Sequence, residues 1–333
     1  MPIAQAIRSP ARGGNGTLLG PDMFRTAHVH FNLRRRLYRL RSNLAPGIMH
    51  WSYPVPIMLE GWTNIYTVHD TIPLDRPDLS PIEPRRHRAV LNAIAEHGDR
   101  IITVSDDARA SIVHALACRP DFVADAGQSV ELSEDLSGDT LSGLPEGVLA
   151  GSYLLCVGSI EPRKNLSAIL AAYQRSGVSM PLLIAGPDGW CAEPILAEIA
   201  QTAGAVRLPY QSRAALLHLI ANARALIFPT LAEGFGLPVI EAMALGTPVL
   251  TSDRGALAEV AGNAALTVDP TDLAAMSAAF HRITTDDELA LGLAQKGRIR
   301  AQAFSKARFV DRLAAIYDET LSNSLGVSNA RRR

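Results

Sequence analysis

The run Ala225-Leu-Ile-Phe-Pro-Thr-Leu-Ala-Glu233-Gly-Phe-Gly-Leu-Pro-Val-Ile-Glu241-Ala-Met-Ala-Leu245 reads as an apolar strand, a glycine-flanked turn and a helix. Pro238 suits a first helical turn, and Gly246 with Pro248 stops the helix. A strand feeding a loop into a helix is the repeating unit of an open parallel α/β sheet, and such sheets bind ligands outside the carboxyl ends of their strands. Glu233 is therefore expected on an exposed strand-to-helix loop, and Glu241 about one turn inside the helix. Each carboxylate can accept from two hydroxyls, and Gly234 and Gly236 let a ligand approach main-chain N–H groups at the positive helix end. One glutamate taken alone is more often a solvated residue. The whole nonapeptide suits a ligand with both hydroxyls and phosphates, a sugar nucleotide.

Outward from this motif the alternation recurs. Apolar runs at residues 153–157, 181–185, 225–228 and 248–251 are separated by helical patterns such as 165–174 and 214–223, which predicts a doubly wound α/β domain. In the first half, Asn64-Ile-Tyr-Thr-Val68 and Asp99-Arg-Ile-Ile-Thr-Val104 read as buried strands around a helix near residues 85–97, a second α/β domain. Residues 125–151 are rich in Ser, Gly, Asp and Leu with weak periodicity, so the boundary is expected near their end. That gives domains at 1–150 and 151–303, followed by a terminal helix at 304–322 with Ser305 placed to cap it.

With 333 residues and 47% apolar side chains the chain has material for two ordinary cores. A net charge of −1 gives no reason to expect a nucleic-acid partner. Cys118, Cys156 and Cys191 form no C-x-x-C pair, which speaks against a disulfide framework or a zinc site and fits a reducing cytoplasm. Residues 1–8 lack the apolar core of a signal peptide, and no run approaches the roughly 18 apolar residues of a spanning helix. A soluble or peripheral cytoplasmic protein is expected.

A second constellation follows residues 154–157: Gly158-Ser-Ile-Glu-Pro-Arg163-Lys164-Asn165-Leu166, a turn before a helix. Two cations at a helix start oppose its dipole, which is reasonable if an anion shares the site. Arg can fork onto phosphate oxygens and Lys can act as a point charge, so a diphosphate suits the pair; in isolation the same pair is a solvated end to a turn.

Together these residues resemble the retaining glycosyltransferases of family four, with the two-Rossmann GT-B fold, over most of residues 151–322. Glu233 and Glu241 fall on that family's Glu-x7-Glu motif and Pro162-Arg-Lys-Asn165 on its donor-phosphate loop. Gly246-Thr-Pro-Val-Leu-Thr251 and Glu259-Val-Ala-Gly262 look like the continuation, and Thr67-Val-His69-Asp70 and Thr103-Val-Ser105 resemble the first domain's His-Asp loop and Val-Ser turn. The resemblance implies two Rossmann-like domains facing across a cleft, with the terminal helix crossing back to the first. It implies that Glu241 holds the ribose, Glu233 the transferred sugar, Arg163 and Lys164 the diphosphate, and that His69 lines the donor sugar. Gly158, Gly234, Phe235, Gly236 and Leu237 would complete the donor loops. The implied reaction moves a sugar from a nucleotide diphosphate to a hydroxyl with retention and without an enzymic nucleophile.

The chain has no Asp-x-Asp, so neither a metal nor another cofactor is expected. Val239 stands where a dinucleotide G-x-G-x-x-G needs its third glycine, against hydride transfer. Glu-Pro-Arg-Lys-Asn resembles mannosyl transferases of bacterial surface-polysaccharide assembly, which implies a mannose-like donor and a glycan or polyprenyl-linked acceptor. A non-catalytic nucleotide-sugar-binding subunit and a nucleotide-sugar epimerase are the alternatives.

Two departures stand out. Ser159 occupies a position where many members carry Arg, which leaves the phosphate grip to Arg163, and the opening glycine loop has only Ala11-Arg-Gly-Gly-Asn-Gly16 as a counterpart. Residues 23–59 hold no acidic side chain and interleave Arg34, Arg35, Arg36 and Arg39 with Leu33, Leu37 and Tyr38. This reads either as a contact with an anionic membrane or as a solvated basic helix.

Overall fold

A computed structural model describes residues 6–7, 22–132, 144 and 147–330, with side chains described as far as residue 323. The stretch from Ala11 to Gly16, about half of the expected boundary segment and the last three arginines lie outside the described residues. The chain forms two compact units, one of Met1–Ala126 with Val310–Arg333 and one of Gly127–Phe309. The division thus falls ahead of residue 150. The Ala126 N–H donates to Thr103 O, closing the first unit, whereas the Val130 N–H donates to Phe304 O within the second.

In chain order the first unit contains β1 (Ala6–Ile7), α1 (Met23–Arg34), β2 (Tyr38–Ser42), β3 (Ile48–Trp51), β4 (Ile57–Leu59), β5 (Thr63–Thr67), α2 (Ile72–Asp75), α3 (Pro84–His97), β6 (Arg100–Thr103), α4 (Asp106–Leu116) and β7 (Val123–Asp125). Parallel pairing sets β1-β2-β4 in one sheet and β3-β5-β6-β7 in another. Every residue of β5 and β6 is buried, the signature of a parallel strand covered on both faces. Buried Asn64 is fully used: its amide donates to Leu59 O and Trp62 O, and its carbonyl accepts from the Leu59 N–H and the Trp51 indole.

The basic stretch is not a single helix. α1 buries Met23, Ala27 and Phe31 at helical spacing and stops at Arg34, where Arg35 turns left-handed at φ 53°. β2 then alternates buried Tyr38 and Leu40 with exposed Arg39 and Arg41, which bond Glu60 at 3.4 and 2.6 Å. The period changes from helical to two because β4 offers a parallel partner.

The second unit contains β8 (Leu154–Val157), α5 (Leu166–Ser176), β9 (Leu182–Ala185), α6 (Ala192–Gln201), β10 (Ala205–Arg207), α7 (Arg213–Ala221), β11 (Ala225–Phe228), α8 (Leu237–Leu245), β12 (Val249–Ser252), α9 (Gly255–Ala261), β13 (Leu266–Val268), α10 (Leu273–Thr285) and α11 (Asp287–Ala301). The last helix, α12 (Lys306–Ala330), starts here and belongs to the first unit from Val310 onward. The six strands are parallel in the order β10-β9-β8-β11-β12-β13. Leu154, Cys156, Leu182 and Ile184 pack with α5, α6 and α10. Their neighbours Leu155 and Leu183 are equally buried on the opposite face, so helices must cover both sides. Each such leucine contributes about 1.5–3 kcal/mol by leaving water. No helix among the described residues is long and apolar enough to cross a membrane.

Candidate active site

The strand order of the second unit reverses between β8 and β11, and a doubly wound sheet opens a crevice at the carboxyl ends of such a pair. Both sequence constellations sit there, one after each strand. Gly158 leaves β8 at φ 136°, where a Cβ would come 3.1 Å from Lys164 Cε. Its neighbour Gly186, after β9, has φ 151°, and a Cβ there would stand 1.9 Å from Gly158 O. Two glycines are therefore needed for the loops to touch. The sequence signal for Gly186 is its place directly after a strand, the same as that of Gly158.

After Gly158 the chain makes a short 3-10 turn, Pro162–Lys164, and Asn165 takes up a left-handed conformation at φ 61° before α5. The Asn165 amide is buried and donates to Pro229 O at 3.0 Å and Pro270 O at 2.8 Å, pinning the basic turn to the loop beyond β11. That brings three charged side chains together. Arg163 Nη1 donates to Glu233 Oε2 at 2.7 Å, and Lys164 Nζ to Glu233 Oε1 at 2.6 Å. Arg163 also forks onto Glu161 Oε1. Burial works against the Arg163 charge, but Glu233 and Glu161 outweigh it and hold its pKa above the ordinary value. Lys164 lies 5.0 Å over the Phe228 ring.

Glu233 was expected on an exposed loop; its side chain is only 10% exposed, because two cations close over it. Gly236 caps α8 at φ 105°, where a Cβ would meet Leu257 at 2.5 Å. Phe235 is buried edge-to-face against Phe304, so its ring anchors the loop and does not line an open site. Leu237 is partly exposed at the first position of α8.

Glu241 sits on the fifth residue of α8, buried to 5% exposure, and accepts from Arg213 Nη2 at 2.5 Å. Arg213 begins α7 after its Ser212 cap. Nothing in a local sequence pattern ties the first residue of one helix to a carboxylate on the next, so Arg213 carries no sequence signal of this role. His69 belongs to the first unit, just past β5, with the Tyr53 ring 6.3 Å away. Burial lowers its pKa against the pull of Asp70. The Cys156 thiol beneath the basic turn is pushed up to about 12 by burial and offers no thiolate.

A carboxylate clasped by a basic turn thus lies at the switch point of a doubly wound α/β sheet, the place where such folds bind ligands. A sucrose-phosphate synthase from Thermosynechococcus elongatus is similar in fold, with a TM-score of 0.67 at 20% identity over 94% of this chain and 82% of its own. The fold is GT-B. Residues 150–300 match the family described as glycosyl transferases group 1. The O-antigen chain mannosyltransferase B of Escherichia coli is 31% identical over 262 residues, 72% of this chain and 66% of that protein. The serotype-specific mannosyltransferase WbdA of Escherichia coli is 32% identical over 216 residues, 59% of this chain and 26% of the relative. The segment 150–300 belongs to the group 1 glycosyltransferases, and the chain spans less than two thirds of the length of these two mannosyltransferases.

Proposed function

We propose that this protein transfers a mannose-like sugar from a nucleotide diphosphate to a hydroxyl of a glycan or polyprenyl-linked acceptor, with retention and without a metal, in surface-polysaccharide assembly. The observation that carries the reading is the clasp of Glu233 by Arg163 and Lys164 at the switch point. Both cations are held where a diphosphate would reach them. As the leaving group gains charge, these preorganised donors stabilise it with little reorganisation. Glu233 then accepts from hydroxyls of the sugar, and Glu241, fixed by Arg213, from the ribose. The names of the mannosyltransferase relatives support a mannose-like donor. Arg34, Arg35 and Arg36, exposed around the end of α1, support a peripheral position on an anionic membrane.

The test is a panel of nucleotide sugars, screened for thermal stabilisation and then for released nucleotide and sugar transfer, with and without EDTA. Transfer from one donor that survives chelation is expected. Binding without turnover would favour a nucleotide-sugar-binding subunit, and activity lost in EDTA and restored by Mg²⁺ or Mn²⁺ would overturn the metal-free reaction.

A further inference from the structure

The first unit carries an open groove of about 700 Å³ between α1, the loop after β3 and the start of α3. Arg25, His28 and Val29 line it from α1, Tyr53 from the loop, and Ile82 and Arg86 from the α3 end. Its polar side is cationic. Among the described residues neither Arg25 nor Arg86 has a carboxylate partner, and Arg86 Nη2 donates to His28 Nδ1 at 3.1 Å. The one acid on the wall among the described residues, Glu83, is occupied as the cap of α3, accepting from the main-chain N–H groups of Arg85 and Arg86 at 3.1 and 2.6 Å. The lining also exposes apolar surface, with Val29 at 50%, Tyr53 at 55% and Ile82 at 37% exposure. Tyr53 also stands beside His69, so the groove opens at the carboxyl edge of the sheet, where open α/β folds bind ligands.

We propose that this groove binds the phosphate or diphosphate of an acceptor whose sugar is carried on an anion, a reading that rests on the transferase function above. Two guanidinium groups match phosphate oxygens, and no carboxylate among the described residues pairs with them. His28 accepts from Arg86 and so orients one fork. The Tyr53, Val29 and Ile82 wall suits either a sugar ring or the first carbons of a lipid chain, so a polyprenyl diphosphate and a soluble sugar phosphate share the required chemistry.

The experiment is calorimetric titration of the full-length protein with inorganic pyrophosphate, in the parent and in Arg163→Ala/Lys164→Ala, which removes the other anion site. Binding should persist in that background and weaken about tenfold or more when Arg25→Gln and Arg86→Gln are added, with partial rescue by Lys at both positions. Both arginines are exposed, and melting curves check that the variants fold. Farnesyl diphosphate binding more tightly than mannose 1-phosphate points to a lipid carrier, and the reverse to a soluble one. Pyrophosphate binding that is absent in the background, or unmoved by the glutamine pair, overturns the proposal. Uridine and guanosine diphosphates, titrated against Arg25→Gln/Arg86→Gln with Arg163 and Lys164 intact, report the donor site separately; failure of both to bind there would count against the transferase reading and not against the groove.

Discussion

Glu233 holds Arg163 and Lys164 in a nearly enclosed cluster, and that shapes the cost of losing it. Removing one partner of a buried ion pair strands the other charge, which typically costs about 3–5 kcal/mol when burial is complete and less here, where Arg163 keeps 22% exposure. Glu233→Ala is expected to lower stability measurably as well as to nearly abolish transfer, because it leaves two cations facing each other. In Glu233→Ala with Lys164→Ala, one of those cations is gone too, so the two stability losses should fall short of additive by about 0.5–3 kcal/mol in denaturant unfolding. Strict additivity would show that the clasp is not an energetic unit. Lys164→Ala by itself should cost roughly 2–4 kcal/mol of transition-state stabilisation, read from kcat/KM. At this scale the carboxylates and the basic pair were legible, since each lies in a local strand-loop-helix pattern. Their mutual pairing was not, because it spans 69 and 70 residues of chain. Arg213 was invisible for the same reason.

Elements set those distances. Asn165 joins the turn before α5 to the loops after β11 and β13 through two buried hydrogen bonds. Asn165→Ala should destabilise by about 1–3 kcal/mol, since two carbonyls lose their donor and Ala at φ 61° is strained. Asn165→Gly separates the causes: it accepts the left-handed backbone and restores no bond. Stability is expected to stay low in the glycine variant, and recovery there would reduce the role of Asn165 to backbone conformation. α1 makes a different case. Beyond its buried stripe it exposes Phe24, Val29 and, at 79%, Leu33, beside Arg34, Arg35 and Arg36. Each arginine near an anionic surface contributes about 1 kcal/mol. Arg34→Gln/Arg35→Gln/Arg36→Gln should therefore lower binding to anionic vesicles in low salt and leave neutral vesicles unaffected, while Arg39→Gln alone should do little because Glu60 already holds that side chain. Vesicle sedimentation checks this, and equal binding by parent and triple variant would leave α1 an ordinary solvated helix. Long, strongly apolar strands were legible from sequence. The three-residue β10 and β13 were not, being too short for a period, and β2 lies inside the basic stretch, where arginine-rich composition hides its alternation and one of the two readings is a helix.

At the scale of the whole molecule the two units differ in their response to acid. His28, His30, His50, His69 and His87 all lie in the first unit, and burial is the largest cause holding each pKa below the ordinary imidazole value. His50 shows what is at stake, since its ring bridges Tyr317 Oη on α12 at 2.6 Å and Thr67 Oγ1 on β5 at 2.7 Å. A histidine whose folded pKa is depressed takes up its proton more readily when unfolded. Its contribution to stability is therefore present above the unfolded pKa, near 6.5, and is lost as the pH falls through that value toward the folded one. Asp99, raised by burial, opposes the trend only where it gains a proton at the acid end. The first unit should accordingly loosen more than the second between pH 7.5 and 5.5. Hydrogen exchange corrected for intrinsic rates, followed at Tyr66 and Ile101 against Leu155 and Leu226, should show protection lost mainly at the first pair, and His50→Gln should lessen that loss around α12. Equal loss of protection in both units would mean that the buried histidines do not set the acid stability of this chain.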